Sequence, residues 1–147
     1  MNCNKELYND VGCVHILDPV SASAGTTKTA LVDTTGLQGV LFVASVGVYT
    51  IGTGTGVTWS LVEGSTAADS ALTAVASTDY AASSLTLCTD GDDDLNTEYI
   101  EYKGNKKYVG ANIVVTADST SALIACVAIT HHHESAPVTA QTATART

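Results

Sequence analysis

Apolar and β-branched residues recur along the chain in short runs separated by Gly, Ser, Thr and Asp clusters, a pattern that predicts an all-β domain of short strands. Cys13–Leu17 is the first run. Pro19 and the polar stretch Ser21–Thr27 follow it, and Thr29–Asp33 comes next, ended by Thr34-Thr35-Gly36. In Gly39–Val48 nearly every position is apolar: Val40, Leu41, Phe42, Val43, Ala44, Val46 and Val48. Such a strand is expected at the centre of a sheet with both faces covered, where no alternation is required.

Beyond the glycine-rich turn Gly52–Gly56 the pattern changes to strict alternation. Val57, Trp59 and Leu61 point one way and Thr58, Ser60 and Val62 the other, which makes Trp59 the expected core anchor. Ala67–Ala82 stays open between a short helix and irregular strand. Leu72, Val75 and Ala76 match helical spacing there, while Thr73, Ser77 and Thr78 weaken it. Ser84–Cys88 is a brief strand, Asp90–Asp94 a solvated loop, and Thr97–Lys103 a strand with Tyr99 opposed to Ile100. The turn Gly104-Asn105 leads into Lys107–Thr116, and Ser121–Thr130 after Asp118-Ser119-Thr120 is expected to pair with it as a hairpin.

The expected organisation is one antiparallel β-sandwich over residues 29–130. An N-terminal arm with a short strand (1–28) precedes it, and a C-terminal arm (131–147), disordered alone or lying on a neighbour, follows. At 147 residues one such domain can bury about 70% of the surface its unfolded chain exposes. Charged residues are only 14% and aromatics 5%, so the core is expected to be built from small side chains, with partner subunits adding stability.

The formal charge of −9, with only six Lys and Arg, argues against nucleic-acid binding, because that affinity comes from basic groups displacing counterions. Cys3, Cys13, Cys88 and Cys126 form no C-x-x-C pair and read as reduced thiols. The N-terminus lacks a signal-peptide pattern, and the longest apolar run, Val40–Val48, is too short to span a bilayer, so no membrane partner is expected.

Candidate chemistry is sparse. Asp90, Asp92, Asp94, Asn96, Glu98 and Glu101 fall at positions 1, 3, 5, 7, 9 and 12 of a calcium loop, a density of hard oxygens that suits a cation. Yet Leu95 stands where that motif needs Gly, and a strand follows where it needs a helix, so a plain acidic loop is the competing reading. His131-His132-His133 suggests metal ligation, but neighbours on a strand point to opposite faces. His15 reads as an ordinary strand residue. Gly52–Gly56 lacks the ending of a phosphate loop, Asp33-Thr34-Thr35-Gly36 is one residue off an aspartic-protease motif, and no G-x-S-x-G or H-E-x-x-H occurs. Neither an enzyme nor a cofactor is expected. Lys103, Lys106 and Lys107, interleaved with Tyr99, Tyr102 and Tyr108, offer either an aromatic-basic interface strip or a hairpin turn with exposed lysines and tyrosines packed on the sheet.

The order of Ala30-Leu31-Val32-Asp33-Thr34, the run Val40–Gly47, Val57-Thr58-Trp59-Ser60, Asp79, Tyr102-Lys103-Gly104, Lys107-Tyr108-Val109 and the run Leu123–Ile129 resembles the head decoration, or cement, proteins of tailed bacteriophages. These residues span about Ala30 to Thr130, and none is catalytic. The resemblance implies a jelly-roll-like sandwich on the outer surface of a capsid, commonly a homotrimer, made in the bacterial cytoplasm and clamping neighbouring major capsid subunits. One departure stands out: Gly110 occupies the position after Tyr108-Val109 where such proteins are expected to carry Arg. A head-tail joining or tail protein, and a carbohydrate-binding module displaying Trp59 and the tyrosines, are the alternatives.

Overall fold

In the computed structural model, residues 11–51, 56–89, 96–116, 119–132 and 142–147 are described, with side chains omitted at 48–51, 119–121 and 132. The strands are β1 (Val11–Ala22), β2 (Gly25–Lys28), β3 (Val32–Asp33), β4 (Leu37–Ile51), β5 (Val57–Gly64), β6 (Thr73–Ala74), β7 (Tyr80–Ala82), β8 (Thr86–Cys88), β9 (Thr97–Tyr102), β10 (Tyr108–Val115) and β11 (Ser119–His132). A single 3-10 turn, Asp69–Ala71, is the only helical element among the described residues, so the ambiguous stretch 67–82 is resolved as irregular chain with two short edge strands.

Two antiparallel sheets face each other. One runs β1-β11-β4-β9-β7; the other runs β2-β10-β5-β6, with β3 also on β10 and β8 also on β5. The pairings nest: β1 with β11, β2 and β3 with β10, β4 with β9, β5 with β8. A long antiparallel ribbon folded on itself in this way, then closed by β11 on β4 and β10 on β5, is a jelly-roll connectivity.

This topology corrects one expectation. β10 and β11 are not a hairpin: β10 lies between β2 and β5 in one sheet, β11 between β1 and β4 in the other. Both are long and richly apolar, and each gains two strand neighbours and a place in the core by crossing between sheets, where a hairpin would give each only the other. The N-terminal region also differs from an arm with a short strand, since β1 runs 12 residues through Pro19 and β2 pairs with β10. Pro19 is tolerated because β1 is an edge strand, and its register shifts between His15 and Val20 absorb the missing donor.

The core explains why so many small residues occur. Phe42, the only phenylalanine in the chain, sits opposite Ala128 on one neighbouring strand and Ile100 on the other, and all three are fully buried. Ala44 likewise faces Cys126. Large side chains from one strand fill the space that small ones leave, which gives close packing without bulk everywhere. Trp59 is buried as expected, and its indole N–H donates to Ser84 O at 2.9 Å, so its polar edge is satisfied.

Candidate interaction surface

Inward and outward positions alternate cleanly along β4. Val40, Phe42, Ala44 and Val46 are buried between the sheets, while Leu41, Val43 and Ser45 face outward and are half-buried. The expectation that both faces of this strand are covered is therefore only half met. No element among the described residues covers the outer face.

Register turns these outward residues into rows across the sheet. One row runs Cys13, Ile129, Leu41, Glu101, Ala81; the next runs His15, Val127, Val43, Tyr99. Their side chains stack as cross-strand neighbours, so Leu41, Val43, Val127 and Ile129 make a continuous apolar strip over β4 and β11. Tyr99, 53% exposed, and Leu123, 49% exposed, extend it at either side. Glu101 is the one carboxylate in these rows, and Lys103 Nζ pairs with it at 3.2 Å. His15 Nδ1 contacts Asp18 at 2.7 Å. The strip is thus almost free of net charge in a chain whose formal charge is −9. At one end of the strip lies an open groove of about 550 Å³, lined by Leu41, Ile129 and Tyr99 together with Gln38, Glu101 and His131.

The candidates named from sequence are dispersed. Tyr99 belongs to the strip. Tyr102 does not: it is buried, donates to Glu63 at 2.6 Å and accepts from the backbone N–H of Lys106 at 3.0 Å. Burial, with the Glu63 carboxylate beside it, pushes the Tyr102 phenol well above its ordinary range, so it stays protonated and donating. Tyr108 is half-buried on the other sheet, with Lys107 Nζ 5.1 Å from its ring centre and 3.8 Å from Asp33. Alternation separates Tyr99 from Tyr102, and β10 carries Tyr108 into the second sheet, so no continuous aromatic-basic strip forms.

Asp90, Asp92 and Asp94 lie outside the described residues. Glu98 and Glu101 sit three apart on β9 and point to opposite faces: Glu98 accepts from Ser83 Oγ and, at 3.4 Å, from Asn96 Nδ2, while Glu101 faces outward. These two therefore do not converge on one ion. Among the described residues no group of three His, Cys, Asp or Glu is placed to hold a metal. Of the histidine run, His131 is exposed beside the groove; the side chains of the other two are not described. Cys88 and Cys126 are buried free thiols and Cys13 an exposed one, and burial pushes the Cys126 thiol up to about 12, leaving it unreactive. No helix among the described residues is long and apolar enough to cross a membrane.

Sequence reasoning missed Val127, Ile129 and Leu41 as surface residues, although the signal was present. Apolar residues at both parities of β4 and β11 mean that two faces need cover, and the described residues supply only one. No protein-family model matches this chain, and no curated protein matches it.

Proposed function

We propose that this jelly-roll sandwich is a structural virion protein, a decoration or cement protein that binds the outside of a tailed-phage head as a homotrimer and stabilises contacts between major capsid subunits. The observation that carries the reading is the uncharged apolar strip Leu41, Val43, Val127 and Ile129 on an otherwise acidic molecule. A half-buried apolar strip extended by the exposed Tyr99 and Leu123 is the kind of surface that binds a partner. The excess negative charge elsewhere is repelled by packaged DNA, which suits an exterior position and discourages unspecific association.

The mechanism is mass action. A protein that binds the assembled shell and not its separated subunits shifts the equilibrium toward the shell, and repetition over the lattice multiplies a modest contact. The reading of a carbohydrate-binding module is weaker, because Trp59 is buried and cannot serve as a stacking platform.

The test is co-sedimentation of the purified chain with DNA-free phage heads, followed by thermal disruption of the decorated particles. Saturable binding at a fixed ratio to capsid subunits, with a raised disruption temperature, is the expected result. Val127→Asp should weaken binding at least about tenfold, since it places a charge in the apolar strip at a cost of roughly 1.4 kcal/mol or more. Binding to tail structures alone, or none to heads, overturns the proposal.

A further inference from the structure

The last residues of the chain return to its body and fill a built slot. Thr144 exchanges both backbone hydrogen bonds with Leu31, each 2.7 Å, as an isolated antiparallel bridge. Thr147 N–H donates to Ala67 O at 3.3 Å, and Thr147 O accepts from Asp69 N–H at 2.9 Å. Between these anchors the Arg146 side chain, only 8% exposed, donates from Nη2 to Ala111 O at 2.7 Å and from Nη1 to Asn112 Oδ1 at 2.8 Å and Asp69 Oδ1 at 3.4 Å. Lys28 pairs with the other oxygen of Asp69.

Gly110 makes the slot possible. A Cβ at that position would lie 2.7 Å from Leu31 Cδ2 and 3.1 Å from Arg146 Nη2. An Arg at 110 therefore has no room, and the guanidinium lodged here comes from residue 146. Leu31, fully buried yet outside the main core cluster, lies beside it. The result is a recognition site with a backbone edge, a carboxylate, an amide oxygen and a carbonyl arranged for one guanidinium.

We propose that this slot is a binding site for an extended, arginine-bearing peptide segment, and that the segment of a second copy of this chain occupies it when copies stand side by side. The segment's own contacts with the slot are all made by residues 144–147, so the slot does not distinguish its own segment from an identical one. Nine residues separate His132 from Thr142 and can span at most roughly 30 Å. Exchange of identical contacts between copies costs little, and the millimolar effective concentration of a short tether is matched when copies are held on a lattice. The site stands whether or not the chain binds a phage head, so this test and the particle test fail independently.

The experiment uses two full-length chains. Isotopically labelled R146A keeps the slot but loses the guanidinium; unlabelled D69A/N112A keeps the segment but loses the slot's side-chain acceptors. On mixing up to about 1 mM, the amide signals of Leu31, Asp69 and Asn112 in the labelled chain should move to their wild-type positions. They should not move when the unlabelled chain also carries R146A. A peptide of residues 142–147 should reproduce the shifts and its Arg→Ala counterpart should not, which keeps the test decisive if the double variant folds poorly. No movement with either the chain or the peptide, while labelled R146A remains folded, overturns the proposal.

Discussion

The two outer faces of this sandwich differ sharply, although both belong to antiparallel sheets packed on one core. On the second sheet the outward positions of β5 and β10 include Thr58, Ser60, Asn112 and the half-buried Val114, and the returning C-terminal segment lies over Gly110 and bridges Leu31. On the first sheet Leu41, Val43, Val127 and Ile129 have no such roof among the described residues. This face has the composition of a covered strand and no cover among the described residues, which is the ground for the proposal that a partner binds there.

The contrast can be probed from its strongest element outward. On β4, Phe42→Ala should cost about 3–5 kcal/mol of unfolding free energy in chemical denaturation, because it empties the centre of the core. Leu41→Ala, one residue away on the open face, should cost less than about 1.5 kcal/mol, since the half-exposed side chain gives up little burial in the isolated chain. Equal costs would mean that the outer face is covered within the chain after all.

A smaller effect is expected beneath the surface, at Tyr102. Tyr102→Phe removes the donor to the buried Glu63 carboxylate and the acceptor for Lys106 N–H, at a cost of about 2–3 kcal/mol by the same denaturation measurement. A neutral result would mean that water replaces the hydroxyl.

Next comes the matched pair of outer faces. Ser60→Asp should leave stability within about 0.5 kcal/mol and leave particle binding unchanged, whereas Val127→Asp should affect binding far more than folding. If Ser60→Asp also abolishes binding, the charge of the whole molecule matters and not the strip.

The smallest effect concerns acid. The Lys28 ammonium bonded to Asp69, with Arg146 adding to it, holds the Asp69 carboxyl below its ordinary range. A depressed folded-state value contributes stability that is present above the unfolded carboxyl pKa of about 3.9 and is lost as pH falls through the folded value. In wild type the amide signals of Thr144 and Arg146 should therefore change below about pH 4, and in an Asp69→Asn chain this acid step should be absent.

Much of the architecture was legible in the residue pattern. Alternation placed Val57, Trp59 and Leu61 inward, Tyr99 against Ile100, and the apolar run of β4 at the centre of a sheet. Those assignments depend on period two and on neighbouring residues, which a single strand carries in itself. The length of β1 was not legible, because Pro19 reads as a break unless the strand is known to lie at an edge. Nor was the separation of β10 from β11, since a short turn between apolar runs looks alike whether the chain turns back within one sheet or crosses to the other. Arg146 gave no signal at all: its role depends on an absent side chain at Gly110, 36 positions earlier in the chain.

Local order thus determined which side chains share a face of each strand, and composition determined that the molecule is acidic, β-rich and sparing of large residues. Only the tertiary structure decided which faces meet each other, which apolar strip is left open, and where the guanidinium of Arg146 lodges. The reason is that periodicity records the direction of a side chain, whereas cover comes from strands and segments far away in sequence, whose pairing no local pattern encodes.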